Sequence, residues 1–121
     1  MIARKFSLAI STAVLMAGTA FAQENLVEVR DDVQVVPFNA IADEVDDWDV
    51  YDASGTEIGD VEDVVGTDKN TPTALVVDFK SKSAYGDRDV VIPLDQFSLQ
   101  GNRLILNSDA AAVAQMPTWD D

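Results

Sequence analysis

The chain has 121 residues with 8 Lys plus Arg against 22 Asp plus Glu, no His and no Cys, and a formal charge of −14. This length holds one ordinary domain; without Cys there is no disulfide, thiolate zinc site or cysteine nucleophile, and without His no imidazole base, Ser-His-Asp triad or His metal ligand. So negative a surface cannot neutralise nucleic-acid phosphates, and no nucleic-acid partner is expected.

Residues 1–22 read as a cleaved secretory signal. Arg4 and Lys5 precede an uncharged, mostly apolar stretch over 6–18, and Ala20-Phe21-Ala22 supplies the small-x-small pattern of a cleavage site between Ala22 and Gln23. The apolar stretch is shorter than the roughly 20 residues that span a bilayer, so no integral membrane anchor is expected after cleavage. Cleavage removes two cations and no acid, taking the charge from −14 to −16. The expected location is the periplasm, with secretion as the alternative. An exported chain without Cys relies on packing alone, which suits a sheet closed around a continuous interior.

Residues 23–42 read as an N-terminal leader, partly extended or disordered. Within it, 33–38 is a short apolar run with Pro37, suited to an edge strand or extended lead-in because Pro offers no ladder donor. Asn39 can cap a short helix over 40–45; the alternative is an acidic loop. Ile41, Val45 and Trp48 stand at i, i+4 and i+7, one apolar stripe.

The barrel domain is expected over 43–119. After Trp48 the period changes to two. Asp52-Ala53-Ser54-Gly55 is a turn, and a strand follows with Ile58, Val61, Val64 and Val65. Its alternation breaks near Glu62-Asp63, which predicts a bulge or a sharp bend, and Gly59 predicts a bend or a close backbone approach. Residues 67–72 read as a turn and 73–79 as the strongest strand, buried on both sides or lying at a tightly curved sheet. Residues 80–88 are a polar loop. A strand is expected over 89–94, with Pro93 marking its end or an edge; a hairpin over 97–107 turns at Gly101-Asn102, and Ser108 is expected to cap a short helix over 109–115. Trp119 can fold back as an apolar plug. The fold class is all-β: a small barrel of five to six strands, with one short helix before it and one at its C-terminal end.

The stretch Val50-Tyr51-Asp52-Ala53-Ser54-Gly55-Thr56-Glu57-Ile58-Gly59-Asp60-Val61-Glu62-Asp63-Val64-Val65 resembles the opening of a PRC-barrel domain. Thr73-Ala74-Leu75-Val76-Val77-Asp78-Phe79 is similar to that family's second strand, and Gly86-Asp87-Arg88-Asp89-Val90-Val91-Ile92-Pro93-Leu94 to its third. Arg103-Leu104-Ile105-Leu106 and Met116-Pro117-Thr118-Trp119 fit its end. The resemblance implies a PRC-type barrel and an adaptor role, as in the photosynthetic reaction-centre subunit and the ribosome maturation factor that carry this module. The family's apolar central loop is here charged, Lys80-Ser81-Lys82-Ser83-Ala84-Tyr85. The matching residues supply turns, bends and interior, which are requirements of fold and carry no chemistry.

Three functional readings follow. In the first, the chain is a non-catalytic module of the bacterial envelope that binds protein or assembles with itself. Lys80, Lys82, Tyr85 and Arg88 are its partner-binding candidates, with Tyr85 expected to be exposed. In the second, it binds a divalent cation: 13 acids and no Lys or Arg stand between Asp31 and Asp68, and Asp43, Asp46, Asp47, Asp49 and Asp52 are the candidate ligands, since hard cations take carboxylates. A solvated, self-repelling surface explains the same acids without any ligand, and EF-hand spacing is absent. The third reading is a carboxylate-pair hydrolase, which requires a pocket that raises one pKa. A barrel filled by its own side chains leaves little room for one, so neither catalytic residues nor a cofactor is expected.

Overall fold

The structure, a computed structural model, describes residues 25–120. The export signal and its cleavage position at Ala22 and Gln23 lie outside the described residues. The main sheet is built from β4 (Asp49–Tyr51), β5 (Glu57–Asp68), β6 (Thr71–Phe79), β7 (Asp89–Pro93), β8 (Phe97–Gln100) and β9 (Arg103–Leu106). Their order is β7-β6-β5-β4-β9-β8, all antiparallel neighbours except the parallel β4–β9 pair. A short β1 (Val27–Glu28) pairs with β5 at Gly66 and Val65, where β4 has ended. β2 (Gln34–Val35) and β3 (Ala40–Ile41) form a separate ribbon, and two single-turn helices, α1 (Ala42–Val45) and α2 (Ala110–Val113), flank the barrel strands in sequence.

The sheet curls because its longest strand is repeatedly interrupted. The β5–β6 register shifts between Val61 and Asp63, again at Val65/Gly66, and again before Asp68. Each extra residue bends the strand and adds twist. Glu62 is the predicted bulge. Gly59 also behaves as predicted: a Cβ there would lie 2.5 Å from the Asp78 carbonyl oxygen, so only a bare backbone lets β6 approach. The curled path is a half-barrel whose two end strands, β7 and β8, are joined by a 3-10 turn over Leu94–Gln96. Its concave side is filled by Val50, Val61, Leu75, Phe79, Ile92 and Leu104, each no more than 2% exposed. Burial of such side chains contributes about 1.5–3 kcal/mol each, the dominant favourable term of the fold.

The local expectations meet the structure with several corrections. The described part of the expected leader, 25–42, is extended at β1, β2 and β3 and sends Val29, Val35, Phe38, Ala40 and Ala42 into the core. Asn39 does not cap a helix over 40–45. It takes φ 54° and ends the 3-10 turn Val36–Phe38, because a short polar side chain tolerates the left-handed region. The helix starts later, after Ile41, whose N–H donates to the Glu44 carboxylate at 3.3 Å. The 67–72 turn shrinks to the pair Lys69-Asn70, and Pro72 stands inside β6 at the irregular register opposite Gly66, a place where a missing ladder donor costs little. Asp109 rather than Ser108 caps α2, its carboxylate accepting from the Ala112 N–H at 2.9 Å. Ser108 is buried instead, its hydroxyl donating to Gln96. Trp119 does not plug the barrel end. It lies with Leu26 on the convex side, over Val65, Ala74, Val76 and Val91.

Candidate functional site

Three connections meet at one end of the half-barrel: the 52–56 turn, the 80–88 loop and the 107–109 segment. Between them lie two adjoining hollows of about 300 and 260 Å³ that share Asp52 and Tyr85 as walls. The 52–56 turn is rigid. The Asp52 carboxylate accepts from the Ser54 hydroxyl at 2.7 Å, the Ser54 N–H at 3.0 Å and the Thr56 N–H at 3.0 Å. Those bonds, the Ser54 hydroxyl first and the Thr56 N–H next, hold the Asp52 carboxyl below its usual range. Gly55 closes the turn at φ 93°, which explains why a glycine stands there.

Tyr85 is half-buried rather than exposed. Its ring stacks on Phe79 at 4.9 Å between centroids and 7° between planes, and its hydroxyl donates to the Ser108 carbonyl at 3.1 Å. Burial, then the nearby charges of Asp52 and Asp109, push the phenol above its ordinary pKa. The neighbours Ala84 and Gly86 suggested a free aromatic; the apolar ring of Phe79 at the end of β6 claims it. Lys80 faces Glu57 across 3.5 Å, and an Arg88 guanidinium nitrogen donates to the Val113 carbonyl at 3.4 Å, at the end of α2. Lys82 is exposed on the rim and makes no ion pair among the described residues. Lys80, Lys82 and Tyr85 thus share one hollow, with Arg88 fastening the far end of the loop.

The acidic candidates separate. Asp43 and Asp46 come together, and the third carboxylate beside them is Asp31, all within 4.8 Å of one another. Asp31 was not among the expected ligands; the signal for it is a chain reversal that brings its carbonyl to accept from the Asp43 N–H at 3.0 Å. Burial, followed by the charges of Asp47, Asp43 and Asp31, raises the Asp46 carboxyl above its usual range. Asp52 is committed to its turn, and Asp49 lies on β4.

Asp49 belongs to an arrangement invisible in the linear sequence. The register sets Asp49 opposite Asp60, Asp60 opposite Asp78, and Asp78 opposite Asp89, one carboxylate on each of four neighbouring strands. Directly opposed residues share a face, so the row runs across the convex side. Burial, then Asp78 and Asp49, raise the Asp60 carboxyl, while Lys80 opposes the shift.

No helix among the described residues is long and apolar enough to cross a membrane. No curated protein matches the chain. The pattern of the PRC-barrel domain matches residues 38–113. The match begins at Phe38 and takes in β3, α1, the whole six-strand path and α2, and the chain belongs to the PRC-barrel family.

Proposed function

We propose that this PRC-barrel protein is a non-catalytic module exported to the bacterial periplasm, which works by binding protein at the end of the barrel formed by the 52–56, 80–88 and 107–109 segments. PRC-barrel domains are in general non-enzymatic modules. The observation that carries the proposal is the construction of this face. Lys82, exposed in a chain of charge −14, stands beside a hollow whose floor is held by the Tyr85–Phe79 stack. A rigid apolar floor with a polar, charged rim is the anatomy of a protein-binding patch. A partner with an acidic group for Lys82 and an apolar side chain for the hollow suits it.

The test is affinity capture by the exported chain from its own envelope, wild type against Lys82→Glu, with melting curves of both. A protein retained by the wild type and lost from the variant at unchanged melting temperature supports this face. Equal capture removes it. Tyr85 is unsuited to this experiment, because its replacement disturbs the core as well as the surface.

A hydrolase built on paired carboxyls receives no support from Asp52. A general acid needs a raised pKa, and the Asp52 carboxyl in these hollows is held low. Divalent-cation binding is favoured by one observation, the meeting of Asp31, Asp43 and Asp46 within 4.8 Å. Calcium that binds the folded chain there raises its melting temperature, an effect lost in Asp46→Asn. No calcium-dependent shift disposes of this second reading.

A further inference from the structure

Residues 117–119 are themselves a ligand of the sheet. Beyond α2 and the matched residues, the backbone turns through 114–116 and lies along the outer edge of β7. There the Val91 N–H donates to the Pro117 carbonyl at 2.8 Å and the Trp119 N–H to the Asp89 carbonyl at 3.0 Å, with Val90 paired antiparallel to Thr118. Trp119 then covers Val65, Ala74, Val76 and Val91, none of them more than 2% exposed. One extended tripeptide thereby both satisfies the edge of a sheet and seals an apolar patch on its convex side.

We infer that the β7 edge and this patch form a strand-receiving site, filled in cis by residues 117–119, and that its occupant in trans is the same segment of a second copy, exchanged reciprocally. The structure displays the bound form of that ligand. Its contacts are backbone hydrogen bonds and one indole ring, and none depends on which chain supplies the segment. The contacts along the β7 edge are therefore the same in cis and in trans, whereas drawing out 114–116 withdraws Met116 from the core it packs against and breaks the bonds from the Gln115 and Met116 N–H groups to the Ala112 and Val113 carbonyls. The balance rests on the effective concentration of the tethered tail, about millimolar for a short linker, against the concentration of other copies. Ala114 and Gln115 are exposed, and residues 114–116 drawn out extend about 10 Å. Exchange of an identical element is a low-cost route to a dimer. Repulsion between two chains of like charge opposes it at low salt, and screening relieves that.

This inference concerns a different surface from the 80–88 face and stands or falls separately. The absence of native Cys makes a disulfide trap clean. The bonds flanking Val90 and Thr118 make them a non-hydrogen-bonded pair, the closer type, whose Cα spacing of about 4.5 Å suits a disulfide. A Val90→Cys chain is mixed with a size-tagged Thr118→Cys chain, oxidised, and resolved on a non-reducing gel. A mixture of Ser98→Cys with Thr118→Cys chains measures random collision. The expected product is a mixed covalent dimer whose fraction rises about tenfold between about 0.02 and 1 mM protein, and rises again with added salt. Mixed product no greater than the collisional background at the higher concentration overturns the exchange. The double variant Val90→Cys/Thr118→Cys reports on the folded site independently: it is expected to cross-link within single chains when dilute. Failure to do so overturns the strand-receiving site itself.

Discussion

Tyr85 joins two loops that share no sequence neighbourhood, through its stack on Phe79 and its bond to the Ser108 carbonyl. Tyr85→Phe keeps the stack and removes one hydrogen bond, so it is expected to cost about 1 kcal/mol in urea unfolding. Tyr85→Ala opens a cavity in the floor of the hollow as well and is expected to cost about 2–3 kcal/mol, below the figure for a fully buried ring because Tyr85 is only half-buried. A loss from Tyr85→Ala no larger than that from Tyr85→Phe would show the stack contributes nothing. Gly59→Ala is expected to be about as damaging, roughly 2 kcal/mol, because its Cβ meets backbone at Asp78 that cannot rotate away. Gly66 is more constrained still, since a Cβ would overlap the Thr71 carbonyl. The role of Gly59 was legible from its place inside an alternating run. That of Gly66 was not, because the irregular pairing with Pro72 arises only when β5 and β6 meet.

At the scale of elements, the row Asp49, Asp60, Asp78 and Asp89 opposes like charges on four strands. The Asp60 carboxyl has its folded pKa above the unfolded value. Its ionised form therefore costs stability at neutral pH, and the cost disappears as pH falls through the folded pKa. Asp60→Asn is expected to raise stability at pH 7 by about 0.5 kcal/mol, a cross-strand figure reduced for solvent screening, with no gain once Asp60 is protonated. Melting curves of both proteins at neutral and acid pH check this; a gain that persists in acid would point away from charge. Asp52 behaves with the opposite sign. Its folded pKa lies below the unfolded value, so its contribution is present above the unfolded pKa and is lost as pH falls through the folded one. Asp52→Ala should melt lower than the wild type at pH 7, and the difference should narrow in strong acid. The turn that Asp52 organises was readable from Asp52-Ala53-Ser54-Gly55 alone, because its bonds reach only as far as Thr56. The row of acids was not, since it exists only through strand register.

For the whole molecule, charge and edges decide behaviour. A formal charge of −14 on the chain, with every acid after residue 22, makes self-repulsion a general cost, so the melting temperature is expected to rise by a few degrees between about 0.02 and 0.5 M NaCl, where screening shortens the reach of each charge. Differential scanning calorimetry reads this directly, and a flat response would mean the acids are already offset locally. One end of the curled sheet, β7, is completed by residues 117–119 of the same chain. The all-β class, the turns at Gly55 and Gly101, the break near Glu62 and the family were legible in the order of residues, because periodicity, glycine conformation and local hydrogen bonds act between near neighbours. The anchoring of Tyr85, the meeting of Asp31 with Asp43 and Asp46, and the sealing of the convex patch by Trp119 emerge only in the folded chain. Each of those joins residues far apart along the chain, and a contact of that kind has no signature until the backbone has closed the distance.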